Sequence, residues 1–545
     1  MSSLTRDTAF GQLVRLLTGK RVFQYVEERT DVPSPHGSAN AMEKNEAQLR
    51  GPDSDSTDLP ELEKHTHEDL VDWYGPNDPE NPTNWSTAKK FLVTAEICLL
   101  TVSIYSGSSI YAPAVESVSE TFGVSTVAAI LGLTLFVLGY GLGPMIWSPM
   151  SEVPYIGRMP VYIATLAVFV ALQGPAARSS SFGMLMAMRF LTGFFGSPVL
   201  ATGGATCADL YTPAKRTYAI AIWGVAAVCG PALGPVIGGY VTEYGPITST
   251  FRASWEWPIY TLMWIGGACL MILFFTLPET SASNILFRRA SRLRTWTGNL
   301  KLMSKPEIDA QAMSTRDILN MTLIHPFTLN FTEPMVFLLN LYIALIYGLL
   351  YIWFESFPIV FIGMHGFTLG QLGLAYLGLL VGALVIVPPF FWWMHKYLEP
   401  QFDENGEIYP EKRLIPCLVG AFFIPICLFW FGWSSSPDIH WIMPIIGSAW
   451  FSMGAILLFM AILNYLPDAY PNHIPSVLAG NDLMRASFGA GFPLFANAFY
   501  TKLGVGWASS VLAFISIAFI PIPFVLYKYG PLLRNKYSRI AKKDL

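Results

Sequence analysis

Gly224-Val-Ala-Ala-Val-Cys-Gly230-Pro231-Ala-Leu-Gly234-Pro235-Val-Ile-Gly238-Gly239 runs sixteen residues without a charge. Glycines four residues apart line one face of a helix and let a second backbone approach closely. Two prolines inside the same stretch remove backbone donors and bend the helix. The stretch lies in an apolar run over 217–240, long enough to cross a hydrocarbon layer of ~30 Å, which takes about 20 residues. Eleven similar runs flank it, at 91–111, 126–147, 160–178, 182–203, 258–277, 334–356, 370–394, 413–433, 440–464, 474–499 and 504–526. Lipid offers no partner for an open backbone, and no alternating barrel pattern occurs, so the spans are helices. The longest interruption, 278–333, carries Arg288, Arg289, Arg292, Arg294, Lys301, Lys305 and Arg316. The expected organisation is a polar tail (1–90), a six-helix bundle (91–277), a basic linker (278–333), a second six-helix bundle (334–526) and a short tail (527–545).

Composition agrees. Of 545 residues, 52% are hydrophobic and 13% charged, against about 25% charged in a soluble globule. Residues 1–90 alone hold 16 of the 38 acidic and 10 of the 34 basic side chains, so the rest cannot coat a water-soluble body. A net charge of −4 gives no basic field for nucleic acid. The six cysteines stand singly in apolar stretches and suggest neither disulfides nor a metal site. Arg6, Asp7 and Arg15 interrupt any early apolar run, so no cleavable leader is expected. Placing both termini in the cytosol puts 21 Lys and Arg on cytosolic connections and only Arg178, Arg252 and Lys502 outside, as the positive-inside bias requires.

The tail divides in two. Phe10, Leu13, Val14, Leu16, Leu17, Val22 and Phe23 beside Arg15, Lys20 and Arg21 read as an interfacial amphipathic helix. Residues 31–82, rich in Asp, Glu, Ser, Pro and Asn, read as disordered, with Trp73 to Trp85 bringing aromatic rings to the membrane surface.

The turn between spans two and three, Glu152-Val-Pro-Tyr-Ile-Gly157-Arg158, sets an acid near a base, which can lock helix ends by charge-assisted hydrogen bonds; an ordinary basic loop is the plainer reading. Span four buries Arg189, at a cost of at least ~2.5 kcal/mol on insertion scales. A guanidinium does not shed its proton, so Arg189 either biases a neighbouring acid or substrate in a watery cavity or bridges backbone carbonyls.

These motifs, in these spans of a 6+6 helical chain, resemble the major facilitator superfamily, in particular its twelve-span drug:proton antiporters of the fungal multidrug-resistance branch. Ala208-Asp209-Leu-Tyr-Thr-Pro213 with Arg216, Leu277-Pro-Glu-Thr280, Ile285-Leu-Phe-Arg-Arg-Ala290, Tyr351-Ile-Trp-Phe-Glu355-Ser-Phe-Pro358, and Asp468-Ala-Tyr470 with Asn481 and Arg485 carry the likeness across about 75–545. The resemblance implies an all-α fold of two pseudo-symmetric bundles. It also implies that Arg189 serves proton coupling, and that Gly224, Gly230, Pro231, Gly234, Pro235, Gly238 and Gly239 belong to a gating, antiporter motif. Glu152, Gly157, Arg158, Asp209 and Arg216 form a cytosolic charge lock. Glu152 precedes Gly157 by five residues where the family spaces its acid by three, so Arg158 carries this part of the likeness.

No Gly-x-x-x-x-Gly-Lys-Ser/Thr loop occurs, so the energy source is an ion gradient and no cofactor is expected. Exchange for a proton needs a carboxylate sensitive to burial; the candidates are Glu355, Glu96 and Asp209. Tyr105, Phe136, Tyr140, Asn340, Tyr347, Trp450, Phe451 and Phe492 are the expected substrate-cavity residues, in a soft apolar site suited to amphipathic molecules. His65 and His67 sit in the tail as a solvated pair, and the sequons at Asn84, Asn320 and Asn330 are expected to stay unglycosylated on the cytosolic side. The reading is a monomeric, non-enzymatic, proton-coupled exporter of drugs, antifungals or toxic metabolites, in the plasma membrane. Export of a physiological metabolite such as a polyamine, or a non-transporting sensor with this body, remain as alternatives.

Overall fold

A computed structural model describes residues 5–28, 69–247, 253–312, 324–403, 408–470 and 474–537. The tail between 29 and 68, with His65 and His67, and the sequon at Asn320 lie outside them.

The first six spans are Thr87–Ser109, Thr126–Leu142 continued by Pro144–Glu152, Arg158–Ala177, Phe182–Gly196 continued by Pro198–Leu210, Pro213–Tyr244 and Glu256–Thr276. The next four are Pro334–Phe357, Leu369–Ala375 continued by Leu377–Trp393, Ile415–Ser434 and Ile442–Ala469. The last helical segment, Ile474–Phe519, is interrupted at Gly504 (φ 74°, ψ 155°). At 1.5 Å per residue, its 46 residues would be about 70 Å long if straight, twice the ~30 Å layer. The glycine is therefore the hinge between spans eleven and twelve. Residues beyond it pack on span nine, where the Trp433 indole donates to Ser510 (3.0 Å).

Each half repeats one pairing pattern. Spans one and five, two and four, and three and six pack together; so do seven and eleven, eight and ten, and nine and twelve. The halves meet through two further pairs, five with eight and two with eleven, which the same pseudo-symmetry interchanges.

The tail departs from expectation over 69–82, which is folded rather than disordered. A two-residue strand β1 (Leu70–Val71) pairs in parallel with β2 (Met303–Ser304). The linker helix Ala282–Thr297 presents Arg289, whose guanidinium donates to the Asp78 carboxylate (2.6 and 3.2 Å) and to Glu80 (3.0 Å), and lies 4.3 Å over the Tyr74 ring. Arg292 reaches Glu80 (3.0 Å) and Glu27 (3.4 Å). A polar composition reads as disorder only while its carboxylates lack partners; here the basic linker supplies them. The N-terminal helix Ala9–Leu17 sets Phe10 against Phe275 (5.0 Å) and leaves Leu13, Leu16 and Leu17 exposed, as a helix lying at a membrane interface would.

This clamp has a calculable pH range. Burial alone would raise the Asp78 carboxyl, but Arg289 and the amides of Tyr74 and Glu80 outweigh it and hold it below its ordinary 3.8. A depressed carboxylate contributes fully above its unfolded value and is lost as pH falls through the lower folded one. Protease sensitivity of the 69–82 segment should therefore be unchanged from neutral pH down to about 4 and rise only below. Arg289→Ala, which strands a buried carboxylate at a cost of about 3 kcal/mol, should expose it at every pH.

Candidate functional site

Between the halves lies a chamber of about 320 Å³. It reaches from the helix ends nearest the linker, marked by Arg158, Asp209, Arg216 and Asp468, up to Asp482 and Arg485 on span eleven. Above it sits a tighter apolar pocket of about 50 Å³, with Tyr105, Gly224, Pro231, Tyr347, Phe451 and Met460 in its walls. Trp223, Leu463 and Arg485 belong to both, so Arg485 stands at the constriction.

Asp482 and Arg485 are one helical turn apart, both buried, and hydrogen-bonded to each other. The guanidinium lies 5.2 Å over the Tyr347 ring and 5.6 Å over Phe459. Tyr347 is hydrogen-bonded to the Tyr140 hydroxyl; Tyr140 meets Tyr351 (2.9 Å), and Tyr351 donates to Ser108 Oγ (2.8 Å). Spans one, two, seven and eleven, two from each half, thus meet in one polar network directly above an ion pair. Sequence reasoning missed Asp482. Its signal was an acid and a base at i and i+3 inside an apolar run, Asn481-Asp482-Leu-Met-Arg485.

Span five closes this region against its neighbours. A Cβ on Gly230, Gly234 or Gly238 would stand 2.5 Å from Tyr105 Cβ, 2.0 Å from Ser109 Oγ or 2.3 Å from the Ile110 carbonyl, on span one and its C-cap. Ser106 Oγ also donates to the Gly230 carbonyl (3.0 Å). Gly239 does the same work between halves, its added Cβ falling 2.3 Å from the Leu369 carbonyl. At Gly224 the neighbour is only the flexible end of Met460. Pro231 and Pro235 lie inside an unbroken helix and leave the carbonyls of Ala227 and Pro231 without their intrahelical amides. Both of those residues wall the upper pocket.

Other expected residues fall elsewhere. Arg189 is fully buried inside the first half, donating to the carbonyls of Gly132 (3.0 Å) and Gly107 (2.9 Å) between the rings of Tyr111 and Phe136. It lines neither chamber and pairs with no carboxylate among the described residues, so its geometry is that of a staple joining spans one, two and four. Arg189→Ala should lower the detergent melting temperature, at about 3 kcal/mol for two charge-assisted bonds. Transport per folded molecule should fall much less; a full loss of transport with unchanged melting would assign it a direct role. Glu96 is buried beside Thr276 and Cys269 of span six, and Glu355 of span seven lies near Tyr376 of span eight; neither lines a chamber.

Of the expected cavity side chains, Tyr105, Tyr347 and Phe451 line the upper pocket and Tyr140 joins the network above the ion pair. Four are corrected. Phe136 packs on Arg189, Trp450 on Phe423 (5.1 Å), and Phe492 against Gly348. Asn340 accepts from Asn481 (2.8 Å) and donates to Asn330 (2.7 Å), an amide ladder that ties the end of the linker to the second half. All four are held by packing or hydrogen bonds within their own half.

At the linker end Arg158 pairs with Asp209 (2.8 Å), while Glu152 lines the chamber without a bond to it. Glu279 takes a lock role the sequence did not give it, accepting from the Arg158 and Met159 amides (3.1 and 3.3 Å). Gly157 (φ 82°) is obligatory there, since a Cβ would lie 2.5 Å from a Glu279 oxygen. Arg216 lines the chamber mouth. Across the halves, Arg413 donates to Thr217 (2.6 Å), while it pairs with Asp468 (2.9 Å) of its own half.

Two helical bundles related by pseudo-symmetry, with a chamber open toward one end of their interface, define a multi-pass membrane transporter. Residues 97–493 match the Major Facilitator Superfamily model, and the chain belongs to that family. It is 42% identical to "Transporter mfs1" of Schizosaccharomyces pombe, covering 97% of this chain and 98% of that one. It is 37% identical to the "Cycloheximide resistance protein" of Candida maltosa (99% and 100% covered). With "Fluconazole resistance protein 1" of Saccharomyces cerevisiae it shares 41% (86% and 84% covered). Among solved structures, the partially occluded inward open xylose transporter XylE from E. coli superposes with a TM-score of 0.53 at 12% identity, over 81% of this chain and 99% of that one, a likeness of fold.

Proposed function

We propose that the chain exports amphipathic, drug-like molecules in exchange for protons, with Asp482 as the proton-carrying group. The observation that carries this reading is the Asp482–Arg485 pair at the constriction between a polar chamber and an apolar pocket. Deprotonated, the pair is net neutral; protonated, it leaves one uncompensated cation. An apolar ligand that displaces water from the chamber raises the cost of that cation. Ligand binding therefore favours loss of the proton from Asp482, and proton binding favours loss of ligand. By linkage, the two effects are equal. That reciprocity is what an antiporter requires, and it uses no cofactor beyond the proton gradient.

Apart from Arg485 and Ser452 the upper pocket's lining is apolar and aromatic, with the orphaned carbonyls of Ala227 and Pro231 as acceptors for a donor on the ligand. A polyamine would meet no carboxylate in that pocket, which favours a neutral or weakly basic amphipathic cargo. We place the protein as a monomer in the plasma membrane of a fungus, and the distribution of Lys and Arg supports both termini lying in the cytosol.

Expression in a yeast lacking its own pumps tests the reading, with fluconazole and cycloheximide, named for two relatives, as first probes. Accumulation of at least one should fall, and a proton uncoupler should restore it. Uncoupler-resistant efflux would reject proton coupling; unchanged accumulation across a wider amphipathic panel would reject drug export.

A further inference from the structure

A second cavity, of about 260 Å³, lies outside the transport path, where the N-terminal segment, the start of span one and the linker helix meet. Its walls carry Arg6, Lys89, Arg288 and Arg292 against Asp7, Glu80 and Glu279. The three carboxylates are already engaged. Asp7 accepts from the Tyr25 hydroxyl (2.6 Å) and from Arg6 (3.2 Å). Glu80 accepts from Arg289 and Arg292, both at 3.0 Å. Glu279 accepts four backbone amides, those of Arg158, Met159, Thr280 and Ser281.

Two of the cations are not matched in this way. The Lys89 ammonium sits 3.4 Å from the centroid of the Trp85 ring and makes no ion pair or hydrogen bond among the described residues. Arg288 comes no nearer than 3.9 Å to Glu279. Both face a space holding several water volumes of ~30 Å³ each, large enough for a phosphate and part of its esters.

The depth of this cavity in the membrane is fixed from two sides. Lys89 lies in the first turn of span one (Thr87–Ser109). The neighbouring helix Ala9–Leu17 packs Phe10 on span six and turns Leu13, Leu16 and Leu17 outward, so its axis lies at the boundary between headgroups and acyl chains. With the orientation proposed above, that boundary belongs to the anionic cytosolic leaflet. We propose that the cavity is a binding site for the phosphate of an anionic phospholipid, held by Lys89 and Arg288 with the acyl chains running beside the N-terminal helix. A bound lipid would tie the tail, span one and the linker helix together at the surface where the two halves must rock.

Native mass spectrometry of the full chain in detergent tests this without reference to transport. Phosphatidylserine, phosphatidylcholine and inorganic phosphate serve as probes. Wild type should retain one phosphatidylserine, and Lys89→Gln with Arg288→Gln should weaken retention about tenfold or more, about 1.4 kcal/mol. Lys89→Arg, which keeps the charge, should retain it, and Lys502→Gln at the opposite surface should have no effect. Equal retention by the double variant, or equally tight retention of phosphatidylcholine, would overturn the proposal. Displacement of the lipid by inorganic phosphate at comparable concentration would overturn the lipid source and leave a soluble anion site.

Discussion

Asp482→Asn should abolish concentrative export. The substitution keeps the side chain's shape but leaves Arg485 as a permanent cation without its carboxylate, over the rings of Tyr347 and Phe459. Removing one member of a buried pair costs about 3 kcal/mol, so affinity for an apolar ligand should drop about a hundredfold. A single loss could reflect misfolding, and the double variant separates the causes. Asp482→Asn with Arg485→Gln makes the site neutral again. It should recover ligand binding and allow downhill movement of drug, yet no longer respond to a pH gradient. Asp482→Glu should keep coupling. Recovery of uphill export by the neutral double variant would move the proton to another group.

Gly239→Val should hold the transporter away from the state seen here. The glycine meets the Leu369 backbone across the interface between halves, near the end of span five remote from the linker. A side chain there must push spans five and eight apart where they now close the chamber. Overpacking of this kind costs about 1–3 kcal/mol, a shift of roughly 5- to 150-fold in the balance between states. Spin labels on either side of the spans five–eight contact should report a longer distance, and export should fall tenfold or more. Gly174→Val is the control: its Cβ would meet nothing within 4 Å, and neither readout should move.

Much of this architecture is written in single residues. Twenty apolar residues have one stable solution in lipid, so the spans and even the turn at Gly504 follow from the sequence. The span-five glycines are legible for the same kind of reason, because only a missing Cβ permits backbones that close. Arg189 announces that it is buried, but its partners are the carbonyls of Gly107 and Gly132, and a backbone acceptor leaves no mark in a sequence. The side chains facing the chamber were harder still. Phe136 and Tyr140 are four residues apart on span two, yet one packs on Arg189 and the other joins the tyrosine network. Helical period places them on one face without saying where that face turns inward. Asp482 was hidden by its own partner, since an acid one turn from an arginine reads as a surface pair until both prove buried. Residues 69–82 look disordered because their order depends on Arg289 and Arg292, some two hundred positions away.

Proton release on ligand binding is the decisive quantity. Purified protein in weakly buffered detergent, at a pH where Asp482 is partly protonated, should release protons when a transported drug is added, up to one per molecule, and Asp482→Asn should release none. Binding of drug with no proton release by the wild type, or with the same release by Asp482→Asn, would contradict the linkage between the neutral ion pair and the apolar ligand.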